Sequence, residues 1–205
     1  PQSKYDLIII ASRTQDHVTD YINYRNLAEY CLIEKPVISS AQQMNSYLLK
    51  DSKCWMSAPL RYDNNFKYLT SLLSELKSPF KINAVTKSWF PDWRKNRNSD
   101  EGYWMSKTDG GMVREQSHEL DYLYFFFGNP SKIDVIGLKT QNFFKSEIAD
   151  KISIGYIYED RGEAKIDIDV SSRNPERYLY IKNKFKTIIW DILSGKLTIL
   201  DNQSL

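Results

Sequence analysis

Cys31-Leu32-Ile33-Glu34-Lys35-Pro36 decides the fold: an apolar run ends in an acid, an amine and a proline. The run reads as a buried strand, and the proline turns the chain away before the next helix. In open α/β sheets, ligands bind beyond the carboxyl ends of the strands, so a lysine there is placed to meet one. On a surface loop the same tripeptide is a solvated turn, and its neighbours choose between the two readings. Upstream, Asp6–Ala11 (Asp-Leu-Ile-Ile-Ile-Ala) is a continuous apolar run, expected of a strand covered on both faces. A polar loop, Ser12–Thr14, follows it. A helix is then expected from about Gln15 to Asn26 with Val18, Tyr21 and Ile22 inward. Downstream, Ser40 and Gln43 make a capping box. It opens a helix with Ala41, Met44, Tyr47 and Leu48 on its inner face, before a strand at Lys53–Ser57. This β-α-β-α-β order with short connections predicts a parallel sheet with right-handed crossovers.

The pattern changes near residue 60, dividing the chain into 1–60 and 61–205. A helix from about Asn65 to Lys77 carries the stripe Phe66, Leu69, Leu72, Leu73 and Leu76. A strand over Lys81–Phe90 follows, then a long polar loop, Pro91–Thr108, holding Trp93, Arg94, Arg97, Tyr103 and Trp104. Loops of this length in compact domains are functional or disordered, and the aromatics argue against plain disorder. Gly110-Gly111 opens a helix expected from Val113 to Phe127, stopped by Gly128 and Pro130. Its core face reads as Leu120, Leu123, Tyr124 and Phe127. His118, Asp121 and Tyr122 share the other face at i, i+3, i+4, with Arg114 and Glu115 one turn earlier. Alternating runs around Ile152–Tyr158 and Ala164–Val170, then Tyr178–Lys182, Lys186–Ile192 and Lys196–Leu200, predict a mixed or antiparallel sheet, with Asp160-Arg161-Gly162 as a hairpin turn.

The 205 residues make one large or two small domains, and 41% hydrophobic residues suffice for a core. A net charge of +2 leaves no electrostatic footprint for nucleic acid or a membrane surface. No run approaches transmembrane length. Cys31 and Cys54 read as buried free thiols in a reducing compartment, which fits the cytoplasm. No Cys/His spacing supports a metal site. The first of eight glycines is Gly102, so no glycine-rich phosphate turn lies before it.

Together these motifs resemble the sugar-oxidoreductase family typified by glucose-fructose oxidoreductase and inositol dehydrogenase (Gfo/Idh/MocA). The residues that carry the resemblance are Asp6–Ala11 with His17; Glu34-Lys35-Pro36; Arg61-Tyr62; and Gly110-Gly111 followed by Ser117-His118-Glu119-Leu120-Asp121-Tyr122. The resemblance implies an α/β fold: the C-terminal half of a Rossmann parallel sheet, then an α+β domain with a large open mixed or antiparallel sheet supporting a homo-oligomer. It implies NAD or NADP as cofactor and a sugar or nucleotide-sugar as substrate, in surface-polysaccharide or unusual-sugar pathways. It implies Lys35 and His118 at the carbon that exchanges hydride, with Ala11, Ser12, Arg13, Thr14, His17, Glu34 and Arg61 toward the cofactor. The missing glycine turn and the start at Pro1 lead to the expectation of a truncated form, inactive alone, with an unpaired sheet edge.

An unperturbed imidazole titrates near pH ~6.5, which suits His118 to move a proton; a helix-surface histidine is the alternative. Lys35 would polarise the same oxygen. Trp93 and Arg94 would stack on a sugar and pair with an acidic group, or anchor the loop. Where the family commonly has an aspartate before the histidine, this chain has Arg114 and Glu115. Glu115 would keep the carboxylate role, and Arg114 would meet an acidic substrate group. Asp121 would support His118 or bind a hydroxyl, Tyr122 bind sugar or pack, and Arg61 meet cofactor or pair with a carboxylate. The competing function is a non-catalytic sugar-binding or subunit-assembly protein of the same fold.

Overall fold

The computed structural model describes residues 4–43, 48, 50–93, 95, 102, 104, 111–139 and 149–202. Three parallel strands come first: β1 (Tyr5–Ile10), β2 (Ala28–Ile33) and β3 (Cys54–Met56), in that spatial order. Helix α1 (His17–Tyr24) connects β1 to β2, the βαβ unit that the apolar runs predict. Its inner face differs from expectation. His17 and Tyr21 are buried, whereas Ile22 is exposed. Polar anchoring sets this rotation: Tyr21 OH donates to Asp51 at 3.0 Å, and the Arg25 guanidinium pairs with the same carboxylate.

β1 also departs from its reading. Ile10 is buried, but Tyr5, Leu7 and Ile9 are exposed, so the strand is covered on one face only. Among the described residues it pairs with β2 alone, at the edge of the three-stranded sheet. Cys31 and Cys54 are register partners on β2 and β3; both are free thiols, and Cys54 is only half-buried. The cap after β2 is built on Ser39 rather than Ser40, because Gln43 Oε1 accepts from the Ser39 N–H and hydroxyl, each at 2.7 Å. Met44 and Tyr47 lie outside the described residues.

Helix α2 (Asn64–Glu75) starts at Asp63, whose carboxylate accepts the Asn65 N–H at 2.7 Å. Phe66, Leu69 and Leu73 are buried, with Leu72 and Leu76 at the margin. The large sheet comprises β4 (Phe80–Trp89), β5 (Lys132–Lys139), β6 (Lys151–Tyr158), β7 (Gly162–Asp169), β8 (Ser171–Lys182), β9 (Lys186–Asp191) and β10 (Lys196–Asp201). Their order is β10-β9-β8-β4-β7-β6-β5, antiparallel except for β4 against β7. This is the mixed sheet the alternating runs predict. β5 is new to the structure: all eight residues are exposed, and a bulge between Val135 and Gly137 breaks its alternation. Gly162 lets β7 meet β4. Its φ is +107°, and a β-carbon there would lie 2.0 Å from the Phe80 carbonyl oxygen.

The helix expected from Val113 to Phe127 is broken. One turn spans Met112–Glu115, Gln116 and Ser117 interrupt it, and α3 (His118–Phe127) follows. Lys35 supplies a physical cause. Its Nζ donates to the carbonyls of Arg114 at 3.4 Å and Glu115 at 2.6 Å. A continuous helix would spend those two carbonyls on the N–H groups of His118 and Glu119. The inner face of α3 is Glu119, Tyr122, Leu123, Phe126 and Phe127, while Tyr124 points outward, a correction to the expected core stripe. Phe126 meets Phe66 of α2 with ring centroids 4.6 Å apart, joining both helices over the large sheet. Each such fully buried side chain contributes about 1.5–3 kcal/mol. The long loop opens as a helical turn, Phe90–Trp93, and Trp104 is buried against Phe90. Arg97 and Tyr103 lie outside the described residues. Among the described residues, no helix is long and apolar enough to cross a membrane.

Candidate functional site

Two clefts meet at Lys35. The larger, about 540 Å³, lies beyond the carboxyl ends of β1 and β2. Ala11, Ser12, Arg13 and Thr14 line it from the loop after β1, and Glu34, Lys35 and Pro36 from the loop after β2. Arg114 and Glu115 face them from the one-turn helix. The smaller cleft, about 380 Å³, lies over β4 and β8; Lys35, Trp93, Glu115, His118 and Arg177 are among its lining residues. Lys35 and Glu115 belong to both walls.

His17 holds the larger cleft's two loops together. It is 1% exposed, with Nδ1 3.1 Å from the Pro36 carbonyl and Nε2 3.2 Å from the Ser12 carbonyl. Whichever ring nitrogen carries the proton donates to one of these loops. The Lys35–Pro36 peptide is cis. The Lys35 N–H donates to Glu34 Oε2 at 3.3 Å. Arg114 Nη2 donates to the Ser39 carbonyl at 2.9 Å, so that guanidinium braces the loop after β2.

Burial lowers the Lys35 ammonium below its ordinary range, against the pull of Glu115, Glu34 and Glu119. Burial also drives His118 down to about 4, helped by the Lys35 and Arg177 charges and opposed by Asp121. At neutral pH the imidazole is therefore an uncharged proton acceptor, and the amine releases its proton more readily than a free lysine.

The His118 shift carries a stability consequence. Between its ordinary 6.5 and about 4, the folded state binds fewer protons at His118 than the unfolded chain does. Its contribution is full above 6.5 and is lost as pH falls toward 4. The loss is on the order of 1–2 kcal/mol once solvent screening of this partly exposed ring is allowed for. Urea denaturation at about pH 7 and about pH 4.5 should show His118→Asn losing less than the parent. Equal losses would remove the assignment.

Four expected site residues sit elsewhere or out of view. Asp121 takes Arg61 in a two-pronged ion pair, at 2.6 and 3.0 Å, and Arg61 also stacks on Phe125. Neither residue lines either cleft; the pair ties α3 to the segment before α2. Tyr122 is 0% exposed and packs against Phe126 and Trp190. Arg94 lies outside the described residues. Two residues without an assigned role join the site: Arg177 on β8, and Glu119, which is fully buried and accepts Arg177 Nε at 2.8 Å. Glu119 was legible as the first member of the stripe 119, 122, 123, 126, 127. Arg177 had no signal, because its place follows from the β4–β8 register that sets it opposite Thr86.

No family model and no curated protein sequence matches the chain. Solved structures do. Levoglucosan dehydrogenase in complex with NADH and levoglucosan is 12% identical with a TM-score of 0.81, over 97% of this chain and 57% of that one. UDP-N-acetylglucosamine 3-dehydrogenase GnnA from Acidithiobacillus ferrooxidans is 18% identical with a TM-score of 0.74, over 96% and 62%. The WlbA dehydrogenase from Bordetella pertussis, in complex with NADH and UDP-GlcNAcA, is 13% identical with a TM-score of 0.75, over 90% and 55%. The chain thus has the fold of part of these NAD-binding sugar and nucleotide-sugar dehydrogenases, and it spans less than two thirds of their length.

Proposed function

We propose that this chain is the substrate-side part of an NAD(P)-dependent oxidoreductase acting on a sugar or nucleotide-sugar. The convergence of Lys35 and His118 on one cleft, 83 positions apart in sequence (118 − 35), carries the reading. The larger cleft fits the nicotinamide–ribose end of a dinucleotide. It lies where open α/β sheets take ligands, Glu34 offers a carboxylate for ribose hydroxyls, and Lys35 leads from it into the smaller cleft. Nothing between residues 4 and 101 supplies a glycine-rich grip for the pyrophosphate. The nicotinamide, when bound, accepts or delivers the hydride. In oxidation, the Lys35 amine takes the hydroxyl proton while neutral His118 hydrogen-bonds the same oxygen; in reduction, the Lys35 ammonium returns that proton to the carbonyl oxygen. Trp93 forms an apolar wall for the sugar ring.

Titrating NADH against the chain by fluorescence tests the cofactor half. Saturable binding is expected, weakened about tenfold or more in Glu34→Ala, since hydrogen bonds to charged groups contribute ~1.5–3 kcal/mol. Absence of both NADH and NADPH binding would defeat the proposal. A second role, assembly through the large sheet, is supported by β5, where Ile133, Val135, Ile136 and Leu138 are all exposed. Sedimentation velocity should show a homo-oligomer that Val135→Lys dissociates; a monomer at all concentrations counts against it.

A further inference from the structure

The smaller cleft holds more positive charge than hydride transfer needs. Three cations, Lys35, Lys87 and Arg177, line it against one carboxylate, Glu115. Lys87 is partly committed to Glu176 at 3.0 Å, and Lys35 to its two carbonyls. Arg177 is committed, among the described residues, only through Nε. Among the described residues, neither terminal nitrogen has a hydrogen-bond partner, and Nη2 is buried in that state. Buried donors are rarely left unpaired. Behind the guanidinium, Glu119 is 0% exposed and fixes the plane of the fork from the core side.

We propose that Arg177 is a specificity-determining residue for an acidic sugar, its guanidinium charge on the cleft wall meeting the carboxylate of a uronate-type substrate. This rests on the redox reading only for placing the sugar in this cleft. A carboxylate cancels the guanidinium charge and accepts a charge-assisted bond from it, whereas a sugar hydroxyl offers a neutral partner. Lys87 adds a second positive charge on the same wall, on the neighbouring strand β4. Glu119 acts as the positioning residue: it touches Arg177 and not the cleft.

The test compares D-glucuronate with D-glucose and glucose 6-phosphate by calorimetric titration of the whole chain. Three proteins are needed: the parent, Arg177→Lys, and the double variant Arg177→Gln/Glu119→Gln, which removes both charges together so that no lone charge stays buried. The parent should bind glucuronate about tenfold or more tighter than glucose, and tighter than the phosphate. The double variant should lose that preference, its ratio of glucuronate to glucose affinity falling to about one. Arg177→Lys, which keeps the charge without the fork, should fall between and decides the matter if the double variant does not fold. Equal affinity for glucuronate and glucose, preference for the phosphate, no sugar binding, or undiminished glucuronate affinity in a folded variant overturns the proposal. Loss of NADH binding with the glucuronate preference intact would instead remove the redox reading and leave this subsite standing.

Discussion

In an active form of the proposed oxidoreductase, Lys35→Met is expected to lower the rate of NADH-coupled sugar turnover by roughly 10²–10⁴-fold while the protein stays folded. The amine is the group that both clefts share, so a hydride acceptor in one and a sugar in the other would meet beside it. Methionine keeps most of the side-chain volume and removes the charge. Two carbonyls, Arg114 and Glu115, lose their donor, a cost of about 1 kcal/mol each. Relief of a buried ammonium offsets that cost, since burial is the main cause of the lowered Lys35 titration. The expected signature is lost turnover with a nearly unchanged melting temperature and retained NADH binding. Lys35→Arg keeps a cation but not a group that gives up its proton, so it should be nearly as inactive. Turnover within threefold of the parent would show that the amine is a structural tie and no more.

Breaking the buried ion pair should have the largest effect on stability. Arg177→Met leaves Glu119 fully buried with no counter-charge, and its Oε2 already lacks a partner. Removing one member of such a pair costs about 3–5 kcal/mol, because the desolvated charge remains. Burial already raises the Glu119 carboxyl above its ordinary range, with Arg177 pulling it down. With Arg177 gone, it rises further. A carboxyl raised in the folded state is penalised more as pH rises through its titration, so the damage should be smaller near pH 5 than near pH 8. Denaturant unfolding at both pH values checks magnitude and sign. The pair Glu119→Gln/Arg177→Met should recover most of the loss. A single-variant cost below about 1 kcal/mol would mean that the pair is solvated and the cleft wall is not built on it.

The parallel strands, α2 and the hairpin at Gly162 were legible because each rests on local pattern: apolar runs, an i, i+3, i+4 stripe, a turn residue at positive φ. The larger cleft was legible for a related reason. Its walls are two loops that directly follow β1 and β2, so locating the strands located the residues. Tyr122 and Tyr124 were placed on the wrong faces, because the stripe was read as 120, 123, 124 and 127 whereas the buried one is 119, 122, 123, 126 and 127.

The sequence by itself determined that two sheets form and that Lys35 stands at the end of β2, since hydrophobic periodicity acts over a few residues. Which residues join Lys35 was decided only in three dimensions. Its amine reaches across 80 positions of sequence to the Glu115 carbonyl, at the end of the turn where the long helix is interrupted. The β4–β8 register then sets Arg177 beside the resulting cleft, with Glu119 locked behind it. Hydrogen bonds and ion pairs of that span leave no periodic trace in the chain, because their partners are chosen by packing.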